Sequence, residues 1–200
     1  AYSISSCHSA PGTDASTGAV TDSVRIVKSG LNYPWEILWG KDGHIWMTER
    51  AGKISKLDPK TGTIVFSSSI AEVVSRSEGG LLGMVQHPGF LKNGLFYVVY
   101  NYLNGSEYSE KLVQMKYANG TMIPVKTLLK NIPAANFHNG SRLLITGDDP
   151  KLFMTTGDAT VQSNSQSISS VSGKVLRFNL DGTIPADNPF RNSPVWSYGH

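Results

Sequence analysis

The sequence predicts an all-β protein made of repeated four-stranded sheets. Only 16% of its 200 residues are charged, and it contains 20 glycines and 10 prolines, a composition poor in helix formers and rich in turn formers. From Val24 onward, short apolar runs alternate with Gly, Asp, Asn and Pro. The same strand–turn–strand phrase also returns along the chain. Together these three observations favour many short antiparallel strands over helices.

The first predicted sheet lies within residues 37–66. A tight turn at Lys41-Asp42-Gly43 separates its first two strands, and the step Asp58-Pro59 ends its third. Four antiparallel strands within about 45 residues are typical of one blade of a β-propeller. The four strands are predicted at residues 37–39, 45–48, 52–57 and 63–66.

The sequence pattern of the first sheet is repeated later in the chain. The step Met47-Thr48 recurs as Met154-Thr155, 107 residues further on, and Gly52-Lys53 recurs as Gly173-Lys174. This spacing leaves room for one more sheet, and internal repetition of this kind predicts a toroidal array of blades. A β-sandwich with accidental similarity is the alternative fold. The strands of the second and third sheets are predicted at residues 81–86, 95–102, 112–117, 126–129, 143–145, 152–155 and 173–178.

Residues 24–200 are therefore interpreted as a partial β-propeller of about three blades. A closed propeller needs at least about four blades, and missing blades would leave sheet faces and a sheet edge open. We expect the chain to be part of a longer protein and, on its own, to aggregate or to fold poorly. The last residues, 196–200, look like a strand about to reach a loop.

Residues 1–23 are predicted to form a flexible polar tail. Cys7 follows Ile4-Ser5-Ser6 and precedes a tract rich in Ser, Thr, Gly, Ala, Pro and Asp. A small-residue step into Cys and then a tether is typical of a bacterial lipoprotein after signal cleavage, so Cys7 is a candidate lipid attachment site. The alternative is an ordinary tail with an incidental thiol. A single cysteine forms no internal disulfide and no cysteine-based metal site.

The composition disfavours several functional classes. The net charge is only +3 and no run of Lys and Arg is present, whereas a nucleic-acid surface needs a basic patch. No apolar run approaches the ~20 residues that cross a bilayer. The sequence lacks a Gly-x-Ser-x-Gly nucleophile elbow and a Gly-x-Gly-x-x-Gly dinucleotide fingerprint, and no two histidines have metal-ligand spacing.

His138 and Asp158 form the candidate catalytic pair. A hairpin whose tight turn is centred on Asp148-Asp149 places them across from each other at its open end. A carboxylate beside a histidine fixes the imidazole tautomer and makes the ring a general base. The alternative is a structural pair of a turn Asp and a surface His. His44 and His87 are interpreted as solvent-facing residues of other hairpin turns.

Residues 78–83 form a glycine-rich approach to a strand near the propeller axis. Glycine at such a place lets the backbone come close to a planar ligand or turn sharply. The alternative is steric, because blades crowd near the axis and small residues fit there without any ligand.

Five motifs occur in a fixed order along the chain. They are residues 35–52, SEGGLLGMVQHPGF at 77–90, HNGSRL at 138–143, MTTGD at 154–158 and GKVLRFNLDGTIP at 173–185. In this order they resemble the soluble PQQ-dependent sugar dehydrogenases, the quinoprotein glucose/sorbosone dehydrogenase family, of which this chain is similar to the amino-terminal part. The resemblance covers about residues 24–200 and extends to Tyr198-Gly199-His200, which family members continue with Arg-Asn.

The resemblance implies a six-bladed propeller that holds pyrroloquinoline quinone (PQQ) and calcium over the channel mouth. It implies oxidation of the anomeric hydroxyl of aldose sugars to lactones by hydride transfer to PQQ. By this similarity His138 is the general base, Asp158 orients it, and Glu78 and Asn139 lie near the cofactor. The loop of residues 159–172 would line the mouth. Calcium ligands are expected beyond the end of this chain, so no metal ligand is assigned within it and the chain alone is expected to be inactive.

Two positions depart from the family pattern. Glu78 stands where the glucose enzyme has a glutamine, and Phe137 stands where it has an aspartate beside the histidine. Because Phe137 cannot hydrogen-bond a sugar, the resemblance implies aldose oxidation without implying glucose as the preferred sugar.

Two other functions remain open. One is a non-catalytic propeller that binds a glycan or a protein partner at the channel mouth. The other is a metal-dependent propeller lactonase, which needs several channel-facing carboxylates and has only Glu49, Glu78 and Asp158 as candidates. For the dehydrogenase the expected partner is a small-molecule aldose, with no nucleic acid and no membrane span. The expected location is periplasmic or extracellular, with the lipid anchor at Cys7 left open.

Overall fold

A computed structural model describes residues 24–200 of the chain. It contains three four-stranded antiparallel sheets, each following chain order from edge to edge. The predicted tail of residues 1–23 and its Cys7 lie outside the described residues. Neither of the two helices in the described part is long and apolar enough to span a membrane.

Each sheet is one propeller blade. Blade 1 consists of β1 (Pro34–Trp39), β2 (Ile45–Glu49), β3 (Lys53–Leu57) and β4 (Ile64–Ser69). Blade 2 consists of β5 (Leu81–Gln86), β6 (Leu95–Asn104), β7 (Glu107–Ala118) and β8 (Thr121–Pro133), with the short helix α1 (Phe90–Asn93) between β5 and β6. Blade 3 consists of β9 (Gly140–Ile145), β10 (Lys151–Thr156), β11 (Lys174–Asn179) and β12 (Val195–Tyr198), with the short helix α2 (Ser163–Gln166) between β10 and β11. The predicted all-β, three-bladed partial propeller is confirmed.

The outer strands of blade 2 are longer than the sequence predicts. β7 and β8 meet at Asn119-Gly120, where both residues have positive φ angles, 52° and 72°, as in the type I′ turns that match the twist of a hairpin. Most of β8 is exposed and it contains Pro124. Its sequence therefore lacks the apolar alternation from which strands are predicted.

The first strand of every blade lies next to the propeller axis. β5 contacts both β1 and β9, so these three strands form a continuous inner wall. In each blade the pairing of the first two strands is interrupted by an irregularity near the start of the first strand. Such bulges bend a strand and re-aim the side chains beside them. The three blades thus share one geometry at the end of the channel where their inner strands begin.

Two apolar cores hold the blades together. Between blades 1 and 2, Trp46 is 1% exposed and packs edge-on against Phe90 and Tyr117. Between blades 2 and 3, Tyr97 and Leu176 belong to a second buried cluster. Since β6 contributes to both clusters, it is buried on both faces over most of its length, which explains its nearly continuous apolar sequence.

The opposite faces of blades 1 and 3 are open. Leu38 packs against the core between blades 1 and 2, whereas its neighbours Ile37 and Trp39 are 60% and 68% exposed. In blade 3 the same alternation leaves Leu144 at 60% exposed. Side chains alternate between the faces of a strand, so these residues mark the faces that point away from blade 2.

Candidate functional site

Loops from all three blades meet at the end of the channel where the inner strands begin. Arg50 follows β2, Glu78 precedes β5, His138 precedes β9 and Asp158 follows β10. We call this end of the molecule the mouth.

His138 and Asp158 lie in contact at the mouth. His138 Nδ1 is 3.0 Å from Asp158 Oδ1, as expected from their opposed positions in the hairpin. The His138 side chain is 63% exposed and that of Asp158 is 14% exposed. The carboxylate is thus shielded while the imidazole faces solvent, which suits a base that must reach a substrate.

The hydrogen bonds of Asp158 determine which ring nitrogen of His138 donates to it. The hydrogen bond from His138, followed by the backbone N–H of Thr160 at 2.8 Å, lowers the pKa of Asp158 below its usual value. An ionised carboxylate can only accept hydrogen bonds, so His138 Nδ1 is the donor. The remaining ring nitrogen, Nε2, is then the basic atom of the imidazole.

Glu78 contacts the backbone of the same histidine. Its Oε2 accepts a hydrogen bond from His138 N at 3.0 Å, and its own N–H donates to the carbonyl oxygen of Asn136 at 3.0 Å. Glu78 therefore joins the start of blade 2 to the loop that carries His138. Its predicted place beside a cofactor remains a prediction.

Asn139 is 4% exposed and holds its own loop together. Its Oδ1 accepts from Ala135 N at 3.1 Å, and its Nδ2 donates to Ala135 O at 3.0 Å. Both polar atoms of the amide are engaged within the loop. The amide shapes the segment that presents His138, and its predicted cofactor contact stays a prediction.

The glycines at the mouth permit close backbone packing. Gly80 has a φ of +147°, and a Cβ there would collide with the carbonyl oxygen of Arg50. A Cβ on Gly157 would likewise collide with the carbonyl oxygen of His138. Protein atoms therefore occupy the space beside Gly80, which favours the steric interpretation at that position.

The mouth also contains a recess that sequence reasoning missed. Its volume is about 420 Å³ and its walls are Trp35, Arg50, Glu78, Leu82, Asn139 and Gly140. The buried Nε of Arg50 has no hydrogen-bond partner among the described residues. The sequence repeat could have indicated that Arg50 lies at the mouth. Its 107-residue offset makes Arg50 equivalent to Gly157, which is next to Asp158.

The remaining acidic and histidine candidates lie elsewhere. Glu49 is 2% exposed and is held by Asn32 N at 2.7 Å and by Lys53, so it offers no carboxylate to the channel. His44 and His87 lie in hairpin turns as predicted, but both are half-buried rather than solvent-facing. Within residues 24–200, no group of three or more His, Cys, Asp or Glu side chains could hold a metal ion.

The chain is similar to known sugar dehydrogenases. It is 33% identical to quinoprotein glucose dehydrogenase B of Acinetobacter calcoaceticus, over 88% of this chain and 44% of that protein. It is 25% identical to the aldose sugar dehydrogenase YliI of Escherichia coli K12, over 90% of this chain and 51% of that protein. The PQQ-bound aldose sugar dehydrogenase of Streptomyces coelicolor matches its fold with a TM-score of 0.78 at 33% identity, over 88% of this chain and 53% of that one.

The chain spans about half the length of these relatives. Residues 31–200 match the family model for glucose/sorbosone dehydrogenases. The chain therefore belongs to the glucose/sorbosone dehydrogenase family.

Proposed function

We propose that the protein oxidises the anomeric hydroxyl of aldose sugars to lactones, with PQQ as the acceptor of the hydride. The observation that carries this proposal is the contact of 3.0 Å between His138 Nδ1 and Asp158 Oδ1. It supplies an oriented base at the mouth of a propeller whose relatives include a PQQ-bound aldose sugar dehydrogenase.

His138 acts as the general base in this proposal. Its Nε2 takes the proton of the anomeric hydroxyl while a hydride leaves the anomeric carbon. The sugar therefore loses one proton and one hydride in total. Asp158 holds the ring by Nδ1 and stabilises the imidazolium that forms. Glu78 fixes the backbone of His138 through Oε2, and Glu78 itself lines the recess, so this contact ties the base to the wall of the recess.

The residues of the recess fit a flat anionic cofactor. PQQ, when bound, supplies a quinone that accepts the hydride, and it carries carboxylates around a planar ring system. Trp35 and Leu82 offer apolar walls and Arg50 offers its guanidinium, whose buried Nε has no partner among residues 24–200. The volume of about 420 Å³ lies in the range of about 300–1,000 Å³ for small-molecule sites. The described residues provide no acidic cluster for calcium.

Phe137 bears on the choice of sugar. It precedes the base and is 50% exposed, so its ring offers an apolar surface where a polar side chain could bind a sugar hydroxyl. We expect aldoses that are less polar at the facing position to be preferred over glucose.

The proposal is tested on the full-length protein loaded with PQQ and Ca²⁺. Reduction of an artificial dye is followed with a panel of aldoses that includes glucose, and wild type is compared with His138→Ala. We expect PQQ-dependent turnover whose kcat falls by about 10²–10⁴-fold in the variant, the usual contribution of a general base.

A matched control is His44→Ala, since His44 lies in the turn at the opposite end of its hairpin. This variant should keep the wild-type kcat. Turnover that survives the loss of His138 would discard the assigned base and keep the dehydrogenase. A folded, PQQ-loaded protein with no activity on any aldose would instead favour the binding module.

A further inference from the structure

Lys174 is a fully buried lysine that has no acidic partner within the described part of the chain. Its side chain, at the start of β11, has 0% exposure. Its Nζ donates to the carbonyl oxygens of Asn164 at 2.7 Å, Ser165 at 3.0 Å and Ser172 at 2.7 Å. No carboxylate of residues 24–200 forms an ion pair with it. Burial lowers the pKa of Lys174 from its usual value.

The three carbonyls make this burial tolerable. An isolated buried ammonium is strongly unfavourable unless its donors are satisfied, and a lysine has three N–H donors to place. Here each donor meets a backbone oxygen of the loop that joins β10 to β11. Two of the acceptors lie on α2 and the third lies at the end of the loop. The ammonium therefore ties the two halves of this loop together.

The loop held by Lys174 is the one that carries Asp158. Asn164 accepts from Lys174 through its carbonyl oxygen, and its side-chain Nδ2 donates to the carbonyl oxygen of Asp158 at 3.1 Å. Ala159 and Thr160, which follow Asp158, have positive φ angles of 53° and 65°. Non-glycine residues persist in that conformation only where the surrounding structure holds them.

The equivalent lysine of blade 1 is used differently. Lys53 opens β3 as Lys174 opens β11, and its partner across the hairpin is Glu49, with which it forms an ion pair. Across from Lys174 stands Thr156. Thr156 Oγ1 donates to Val171 O at 2.6 Å, so both members of the blade 3 pair contact the loop.

We propose that Lys174 is a positioning residue that clamps the loop of residues 158–172 and thereby holds Asp158 against the imidazole of His138. The effect of Lys174 on catalysis rests on the proposed function. Its structural effect, the selection of the Nδ1–H tautomer of His138, is present without substrate or cofactor.

The test reads that tautomer directly. The full-length protein is labelled with ¹⁵N-histidine, and the ring nitrogens of His138 are assigned by comparison with His138→Ala. For the neutral ring of wild type we expect the Nδ1–H form. In Lys174→Met, which keeps an unbranched side chain one atom shorter and removes its donors, we expect a mixture in which the Nε2–H form becomes the larger species.

Two further variants make the result decisive. Leu176→Ala removes a buried core side chain from the same strand and should leave the tautomer unchanged, so that general loosening of blade 3 is excluded as the cause. Asn164→Ala removes the amide between the clamp and Asp158 and should reproduce the change, even if Lys174→Met fails to fold. An unchanged Nδ1–H form in Asn164→Ala, or in a folded Lys174→Met protein, would overturn the clamp.

The outcome is independent of the assay for aldose oxidation. If His138→Ala retained full activity while Lys174→Met changed the tautomer, the base assignment would fail and the clamp would stand. If His138→Ala lost activity and both clamp variants kept the Nδ1–H form, the base would stand and the clamp would fail.

Discussion

Blades 1 and 3 repeat the same strands, but they differ in the connection between their second and third strands. In blade 1 the second and third strands are joined by three residues, and the buried Glu49 closes the end with Asn32 and Lys53. In blade 3 a loop from Gly157 to Gly173 joins the corresponding strands, and the exposed ring of His138 meets Asp158 at its start. The two blades thus share one hairpin scaffold, and the candidate catalytic pair belongs to the loops of blade 3.

The comparison also shows how a repeated lysine takes on a new role. Where the partner across the hairpin is a glutamate, Lys53 neutralises it. Where the partner is Thr156, it offers no carboxylate to Lys174, and the ammonium of Lys174 binds the carbonyls of the longer loop instead. A change at one strand position therefore accompanies the growth of a loop that carries a candidate catalytic carboxylate.

Glu110 differs from Glu49 because it is a buried carboxyl that pairs with no cation of residues 24–200. It lies on β7, is 1% exposed, and is hydrogen-bonded by the Ser141 hydroxyl of blade 3, while its Oε2 has no partner among the described residues. Burial raises the pKa of Glu110 from 4.5 to about 8. Glu110 is therefore expected to be neutral in the folded protein at pH 7.

The largest predicted effect on stability is the pH dependence that Glu110 brings. Between pH 4.5 and about 8, the folded state holds a proton on Glu110 that the unfolded state has lost. The free energy of unfolding therefore falls as pH rises, by up to about 1.4 kcal/mol per pH unit. Glu110→Gln removes this slope, so its stability relative to wild type should increase by about 3–4 kcal/mol from pH 5 to pH 8.

Urea unfolding of both proteins at pH 5, 6.5 and 8 measures this difference. Ser141→Ala is a useful companion variant, because it removes the donor to Glu110 and leaves the carboxyl in place. A difference between wild type and Glu110→Gln that stays constant with pH would show that Glu110 is ionised in the folded protein.

A smaller effect on stability is predicted at the end of blade 1. Glu49→Ala leaves the backbone N–H of Asn32 without its charged acceptor, and hydrogen bonds to charged groups contribute about 1.5–3 kcal/mol. We expect the free energy of unfolding to fall by about 2–3 kcal/mol. Asp158→Ala, at the end of blade 3, should cost less than about 1 kcal/mol because its partner His138 is solvent-exposed.

The two variants are compared by urea unfolding at one pH and by dye reduction with the preferred aldose. Glu49→Ala should keep its kcat in conditions where it is folded, whereas Asp158→Ala should lose activity. Equal losses of stability, or a loss of activity confined to Glu49→Ala, would contradict a structural role for Glu49 in blade 1 and a catalytic role for Asp158 in blade 3.

Several of these features follow from the sequence because they are local. A tight turn determines which residues of a hairpin face each other, so the approach of His138 to Asp158 could be predicted by counting outward from it. The repeat of Met-Thr and Gly-Lys likewise predicted the blades. These inferences need only strand alternation and the geometry of a short turn.

The missed features join residues that are distant in sequence. Glu110 and Ser141 lie on different blades, and only the packing of blade 2 on blade 3 brings them together. The burial of Lys174 could not be seen either, because a lysine after glycine at the start of a strand looks like Lys53, whose side chain is 37% exposed. The recess beside Arg50 depends on how loops of all three blades converge.

His138 and Asp158 are proposed to act as one catalytic unit. A double-mutant cycle on aldose oxidation by the full-length, PQQ-loaded protein tests it, with His138→Gln, Asp158→Asn and the double variant compared with wild type. Residues that act as a unit have non-additive effects on kcat. We expect the double variant to be about as slow as His138→Gln alone. A double variant slowed by the product of the two single effects would show that the two residues contribute independently and would contradict the account.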